Sequence, residues 1–145
     1  MAEIIAVSVS DTRGVPKRNV SSAELREDFG IVGDAHAAPG ARQVSLLAEE
    51  SIEKMRARGL DVGPGDFAEN ITTRGIELPS LPVGTVLRLG GEAVVRVSQI
   101  GKECRRHCAI YQQAGDCVMP TEGIFVVVQK GGPIVPGDSI EVTDE

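Results

Sequence analysis

The sequence predicts a mainly β protein, a closed or nearly closed barrel with a few short helices, in one domain spanning residues 1–145. Three observations carry this. Short apolar runs alternate with polar positions, Pro-Gly and Gly-Asp dipeptides punctuate them, and only one stretch has a clear helical pattern. The length of 145 residues allows one genuine core and not two of ordinary size.

The elements follow in order. "EIIAVSV" (residues 3–9) is a first strand, and "DTRGVPKRNV" a loop marked by Gly14 and Pro16. "SSAELREDFGIVGDAH" has the polar start and spacing of a short helical turn ending near Gly30. "ARQVSLLAEESIEKMRARGLDVG" holds the clearest helix, with Ser45 as its cap, Glu49 and Glu50 in its early turns and Gly59 at its end. Leu47, Ile52 and Met55 give it an apolar face. Strands follow in "VGPGDFAENITT", "LPVGTVLRLGGEAVVRVSQI", "GIFVVVQKGG" and "IVPGDSIEVTD".

Composition narrows the function classes. The net charge of −6 argues against a binder of nucleic-acid backbone, and Trp 0, Tyr 1, Phe 3 leave few platforms for stacked bases. No apolar run approaches the roughly 18 residues of a membrane span. Glu3 sits where a signal peptide carries positive charge. A cytoplasmic setting is therefore expected, and three cysteines fit poorly with a disulfide framework.

All three cysteines lie in "IGKECRRHCAIYQQAGDC". Cys104 follows the end of an expected strand, with Lys102, Arg105, Arg106 and His107 around it against the single acid Glu103. Positive charge favours thiolate over thiol and so raises nucleophilicity and metal affinity. The same pocket attracts phosphate. Three alternatives stay open on the residues alone. Cys104, His107, Cys108 and Cys117 supply enough ligands for a structural zinc, although His107 and Cys108 are adjacent and no C-x2-C knuckle is present. The cysteines could form a redox switch. They could also be core residues beside solvated charges.

Two further phrases are chemically suggestive. "GIVGDAHAAPGARQVSL" offers glycine turns with Asp34 and His36, and "GDFAENITT" sets Glu69 and Asn70 among small residues at a strand start. Taken singly, each is accounted for by turn chemistry.

Taken in order, "GIVGDAHA", "RQVSLLAEE", "GDFAENITT", "LPVGTVLRLG", "VSQIGKEC", "EGIF" and "PGDSIEV" resemble the MOSC domain, the family named for the C-terminal domain of molybdenum cofactor sulfurases. The resemblance covers residues 13–142 and looks like a stand-alone bacterial member. It implies a barrel-based fold and a pocket for the molybdenum cofactor, a pterin with a dithiolene and a phosphate. It places the functional thiol on Cys104, either as molybdenum ligand or as persulfide sulfur carrier. It further implies Asp34, His36, Arg42 and Asn70 near the cofactor, with Lys17 and Lys102 as phosphate partners. Arg105, basic and next to Cys104, is expected at the same cofactor site from its position. "HAAPG" departs from the commoner "HAGPG" at Ala38, and no role carries over to Cys108 or Cys117. Activity independent of pyridoxal phosphate is expected, with sulfur or electrons coming from a separate donor protein. The other class of function is a non-catalytic accessory module with a zinc or redox Cys/His cluster.

Overall fold

The structure, a computed structural model, describes residues 2–12, 17–35, 37–100 and 122–143. The strands are β1 (Glu3–Val9), β2 (Arg18–Val20), β3 (Ala23–Arg26), β4 (Gly30–Ile31), β5 (Val44–Ala48), β6 (Ile71–Arg74), β7 (Val86–Leu89), β8 (Ala93–Ile100), β9 (Ile124–Lys130), β10 (Gly132–Ile134) and β11 (Ile140–Thr143). One α-helix, α1 (Glu49–Arg56), and a 3-10 turn at Leu78–Ser80 complete the described elements. The mainly β expectation is met. Among the described residues no helix is long and apolar enough to cross a membrane.

Eight strands form one sheet in the order β11-β7-β8-β9-β5-β6-β1-β2, and β10-β3-β4 form a second. The large sheet curls until the β11 edge comes against the start of β1. The start of β11 and the chain just before it hydrogen-bond to β1 and the residue preceding it: Ile4 N donates to Asp138 O at 2.8 Å, Gly137 N to Ile4 O at 2.6 Å, and Ile140 N to Ala2 O at 3.0 Å. A single bridge joins Glu3 to Ser139. The described strands therefore make a nearly closed barrel, not one with a continuous ladder all round. Closure stops short because the Val135–Asp138 turn presents a bend, not a strand, to the start of β1.

Alternation sorts the side chains into two cores. Ile4, Val7, Leu46, Ile71, Leu87, Leu89, Val95, Ile124 and Val126 fill the barrel interior. Their strand neighbours Leu47 and Phe125 point outward, and with Ile52, Met55 and Phe67 they bury the apolar face of α1. The strand pair β5–β6 is parallel, with α1 in its connection, as a parallel pair requires a crossover.

Three local expectations are corrected. Residues 23–26 are a strand instead of a helical turn: β3 pairs antiparallel with β10, and Leu25 is 2% exposed between exposed neighbours. Burial of alternate residues against β10 outweighs the weak helical preference of the segment. The expected loop at 11–20 contains β2, whose Val20, Asn19 and Arg18 pair with Val7, Ser8 and Val9. Ser45 does not cap α1; it lies inside β5, and the helix starts from Ala48 with no side-chain cap. The strand takes residues 44–48 because both its edges are paired, to β6 and to β9. The C-terminal signal holds, since Gly59 adopts φ +92° and its N–H reaches Arg56 O at 2.9 Å.

Candidate functional site

The end of β1, the chain after β4, the start of β5 and the turn before β6 converge on a buried polar cluster. Its centre is an ion pair: Lys17 Nζ lies 2.8 Å from Asp34 Oδ1, and both side chains are wholly removed from solvent. Ser10 N donates to the same carboxylate oxygen at 3.1 Å. Burial by itself raises the Asp34 pKa. The Lys17 ammonium, the Ser10 N–H and the Asn70 amide outweigh it and hold the carboxyl below the ordinary 3.8.

Asn70 bolts three strands together. Its Oδ1 accepts from Ser45 N at 3.0 Å and Ser45 Oγ at 3.2 Å, while Nδ2 donates to Ser8 O at 3.2 Å. Its backbone is held as firmly, with Ser8 N on Asn70 O at 2.7 Å and Asn70 N on Ser45 O at 3.0 Å. An amide of this kind can satisfy donors and acceptors from neighbouring chains at once, which neither a carboxylate nor a hydroxyl does as fully.

The turn that delivers Asn70 depends on Glu69, which is fully buried. Its carboxylate accepts from Gly65 N at 3.0 Å, Phe67 N at 3.2 Å and Thr72 Oγ1 at 2.8 Å. Burial pushes this carboxyl above the ordinary 4.5, opposed by the same donors. Gly65 adopts φ +92° and lies flat against Lys17: a Cβ there would stand 2.3 Å from Lys17 O. Gly65 O in turn accepts from Lys17 N at 2.8 Å. Glycine is required at this point for both reasons.

Arg42 stands apart from the cluster. It is exposed, its guanidinium carbon lies 5.3 Å from the centre of the Phe125 ring, and its Nε donates to Gln99 Oε1 at 3.3 Å. Ser98, next along β8, donates its hydroxyl to Ala41 O. These contacts tie the chain before β5 to the end of β8, from which residue 101 follows directly. Guanidinium over an aromatic face leaves its outer edge available to an anion.

Of the residues expected at the site, Lys17, Asp34 and Asn70 come together and Arg42 lies separately beside the end of β8. His36, Lys102, Cys104, Arg105, His107, Cys108 and Cys117 lie outside the described residues. The cluster also recruits Ser8, Ser10 and Ser45, which the sequence reading did not select. Their signal was faint but present: each is a hydroxyl in an otherwise apolar strand run, "VSVS" or "QVSLL". Gln43 is a further case, completely buried, with Nε2 on Asp28 Oδ1 at 2.8 Å and Oε1 accepting from Val128 N at 2.9 Å.

A cavity of about 580 Å3 opens at the other end of β5, between α1 and the chain after β6. Among the described residues, Glu50, Glu77 and Glu122 line it with Lys54, a set whose net negative charge is ill suited to an anionic phosphate.

A model of the MOSC domain family matches residues 32–141. The search of curated proteins gives no match. Among solved structures, the YuaD protein from Bacillus subtilis is 18% identical with a TM-score of 0.80, over 98% of this chain and 96% of that one. YiiM from Geobacillus stearothermophilus is 20% identical with a TM-score of 0.72, over 99% and 76%. YiiM from Escherichia coli is 20% identical with a TM-score of 0.70, over 100% and 71%. At such identities these likenesses speak for the fold alone.

Proposed function

The chain belongs to the MOSC domain family, and from that membership we propose that it binds the molybdenum cofactor, with Cys104 as molybdenum ligand or as carrier of sulfur. The observation that carries the reading is the family match over residues 32–141, which takes in Asp34, His36, Arg42, Asn70, Lys102, Cys104 and Arg105.

The described residues fit such a group in two different ways. Arg42 suits the phosphate directly, being exposed, planar and steadied by Phe125 and Gln99. Lys17, Asp34 and Asn70 suit it as a frame, because their polar atoms engage one another inside the protein. Lys17 reaches a ligand only by leaving the Asp34 carboxylate, at the cost of a buried uncompensated charge.

When bound, the cofactor supplies redox or sulfur-accepting chemistry at molybdenum. The chain's own part is to grip the phosphate through Arg42, to keep Cys104 ionised by Lys102 and Arg105, and to offer its thiolate to metal or sulfane sulfur. As a carrier, the Cys104 thiolate attacks the outer sulfur of a donor persulfide. One S–S bond forms, the donor's S–S bond breaks, and the donor leaves as thiolate, so no oxidant is required. Sulfur or electrons are supplied by a separate protein.

Retained pterin tests the binding claim. The protein is produced in a host that makes the cofactor, and pterin is released and read as its fluorescent oxidised form. Wild type retains it and Arg42→Ala loses most of it. Equal pterin in both, with Arg42→Ala folded, removes Arg42 from the site. No pterin in wild type removes the cofactor.

A further inference from the structure

We infer that Glu69 is the positioning residue of the buried cluster: its carboxylate sets the turn at residues 65–70, and that turn fixes Lys17 against Asp34. The consequence for cofactor binding rests on the reading above, whereas the positioning itself is measurable without any cofactor.

The geometry gives a continuous path. Glu69 receives the N–H groups of Gly65 and Phe67 and the Thr72 hydroxyl from three sides. Those two N–H groups belong to a turn in which Ala68 adopts φ +64°, a left-handed conformation that a side chain enters only under constraint. Remove the acceptor and two buried donors are orphaned in a strained turn. The same turn presents Gly65 O to Lys17 N at 2.8 Å, with no room between the two backbones for a methyl group. Lys17 then projects its ammonium to Asp34. On the far side of the turn the next residue, Asn70, locks Ser8 and Ser45. Glu69 thus stands at the root of both arms of the cluster and itself touches neither Lys17 nor Asp34 through its side chain in any of these contacts.

A carboxylate suits the task better than its amide. One Glu69 oxygen accepts from Gly65 and Thr72 and the other from Phe67, so both must be acceptors. Glutamine turns an N–H toward one of these donors, and alanine removes both oxygens.

The experiment reads the amine of Lys17. Its side chain is inaccessible in the intact protein, so a small amine-acylating reagent labels it slowly, as peptide mass spectrometry reports. Glu69→Gln is expected to acylate at Lys17 about tenfold faster than wild type, the scale of one lost hydrogen bond to a charged group. Glu69→Ala is expected to be faster still, and Thr72→Val to fall between wild type and Glu69→Gln. Amide exchange in the β8–β9 ladder stays at wild-type protection, which separates a released Lys17 from a loosened fold. Thr72→Val changes shape little and keeps the test decisive if a Glu69 variant does not fold. Wild-type acylation of Lys17 in Glu69→Gln and Thr72→Val overturns the proposal, as does a rise that only tracks loss of protection in β8–β9. Retained pterin falls in Glu69→Gln if the cofactor reading also holds. A protein that carries no pterin in any form sinks that reading and leaves the acylation result standing.

Discussion

Lys17 Nζ and Asp34 Oδ1 meet at 2.8 Å with both side chains at zero exposure. A charge pair so completely withdrawn from water is held by its partners and not by its own attraction alone. Here the Ser10 N–H and the Asn70 amide supply further contacts to the carboxylate. Removing one member leaves the other charged and buried. Lys17→Met or Asp34→Asn is expected to cost about 3–5 kcal/mol, whereas the double variant costs less than the sum of the two. Urea unfolding of the four proteins in the cycle measures the coupling.

The two buried carboxyls give opposite pH dependence. Asp34 has its folded pKa below the ordinary 3.8. Its contribution to stability is present above that ordinary value and is lost as pH falls through the folded value. Glu69 has its folded pKa above the ordinary 4.5. Its contribution is full below that ordinary value and is lost as pH rises through the folded one. Thermal unfolding against pH is expected to show the acid limb flattened in Asp34→Asn. In Glu69→Gln it is the decline on the other side of 4.5 that disappears.

Thr73 offers a site where change is expected to help. Its Oγ1 is buried without a hydrogen-bond partner among the described residues. The residue pairs with Ile4 and with Ala48, both members of the barrel core. Thr73→Val keeps the shape and removes a desolvated hydroxyl, so it is expected to raise stability by about 1 kcal/mol. The midpoint of urea unfolding checks the sign.

Much of the fold was legible because alternation and turn dipeptides repeat along the chain. "TVLRLGGEAVVRV" reads as two strands about a glycine turn, and β7 and β8 pair about it, Leu89 opposite Ala93. "AELR" did not read as a strand, because its partner β10 lies over a hundred residues on and only pairing makes it extended. Ser45 was misread for a similar reason: a serine before two glutamates looks like a helix cap until β6 and β9 claim the segment. At the site, Asp34 and Asn70 stood out in their glycine-rich phrases. That Lys17 would be buried against Asp34 was not readable, since burial of a lysine depends on which strand closes over it. The weight of Glu69 was hidden likewise, because a glutamate in a turn is usually solvated.

Molybdenum content tests the central claim most directly. Wild type and Cys104→Ser are purified anaerobically from a host that makes the cofactor, and molybdenum and zinc are counted together by elemental mass spectrometry. Near-stoichiometric molybdenum in wild type that is lost in Cys104→Ser, with the variant still folded, is the predicted result, and it assigns Cys104 as ligand. Molybdenum kept in Cys104→Ser assigns the sulfur-carrier role if persulfide is lost with the same substitution. Zinc in place of molybdenum, held until two or more of Cys104, Cys108 and Cys117 are changed, would contradict the account.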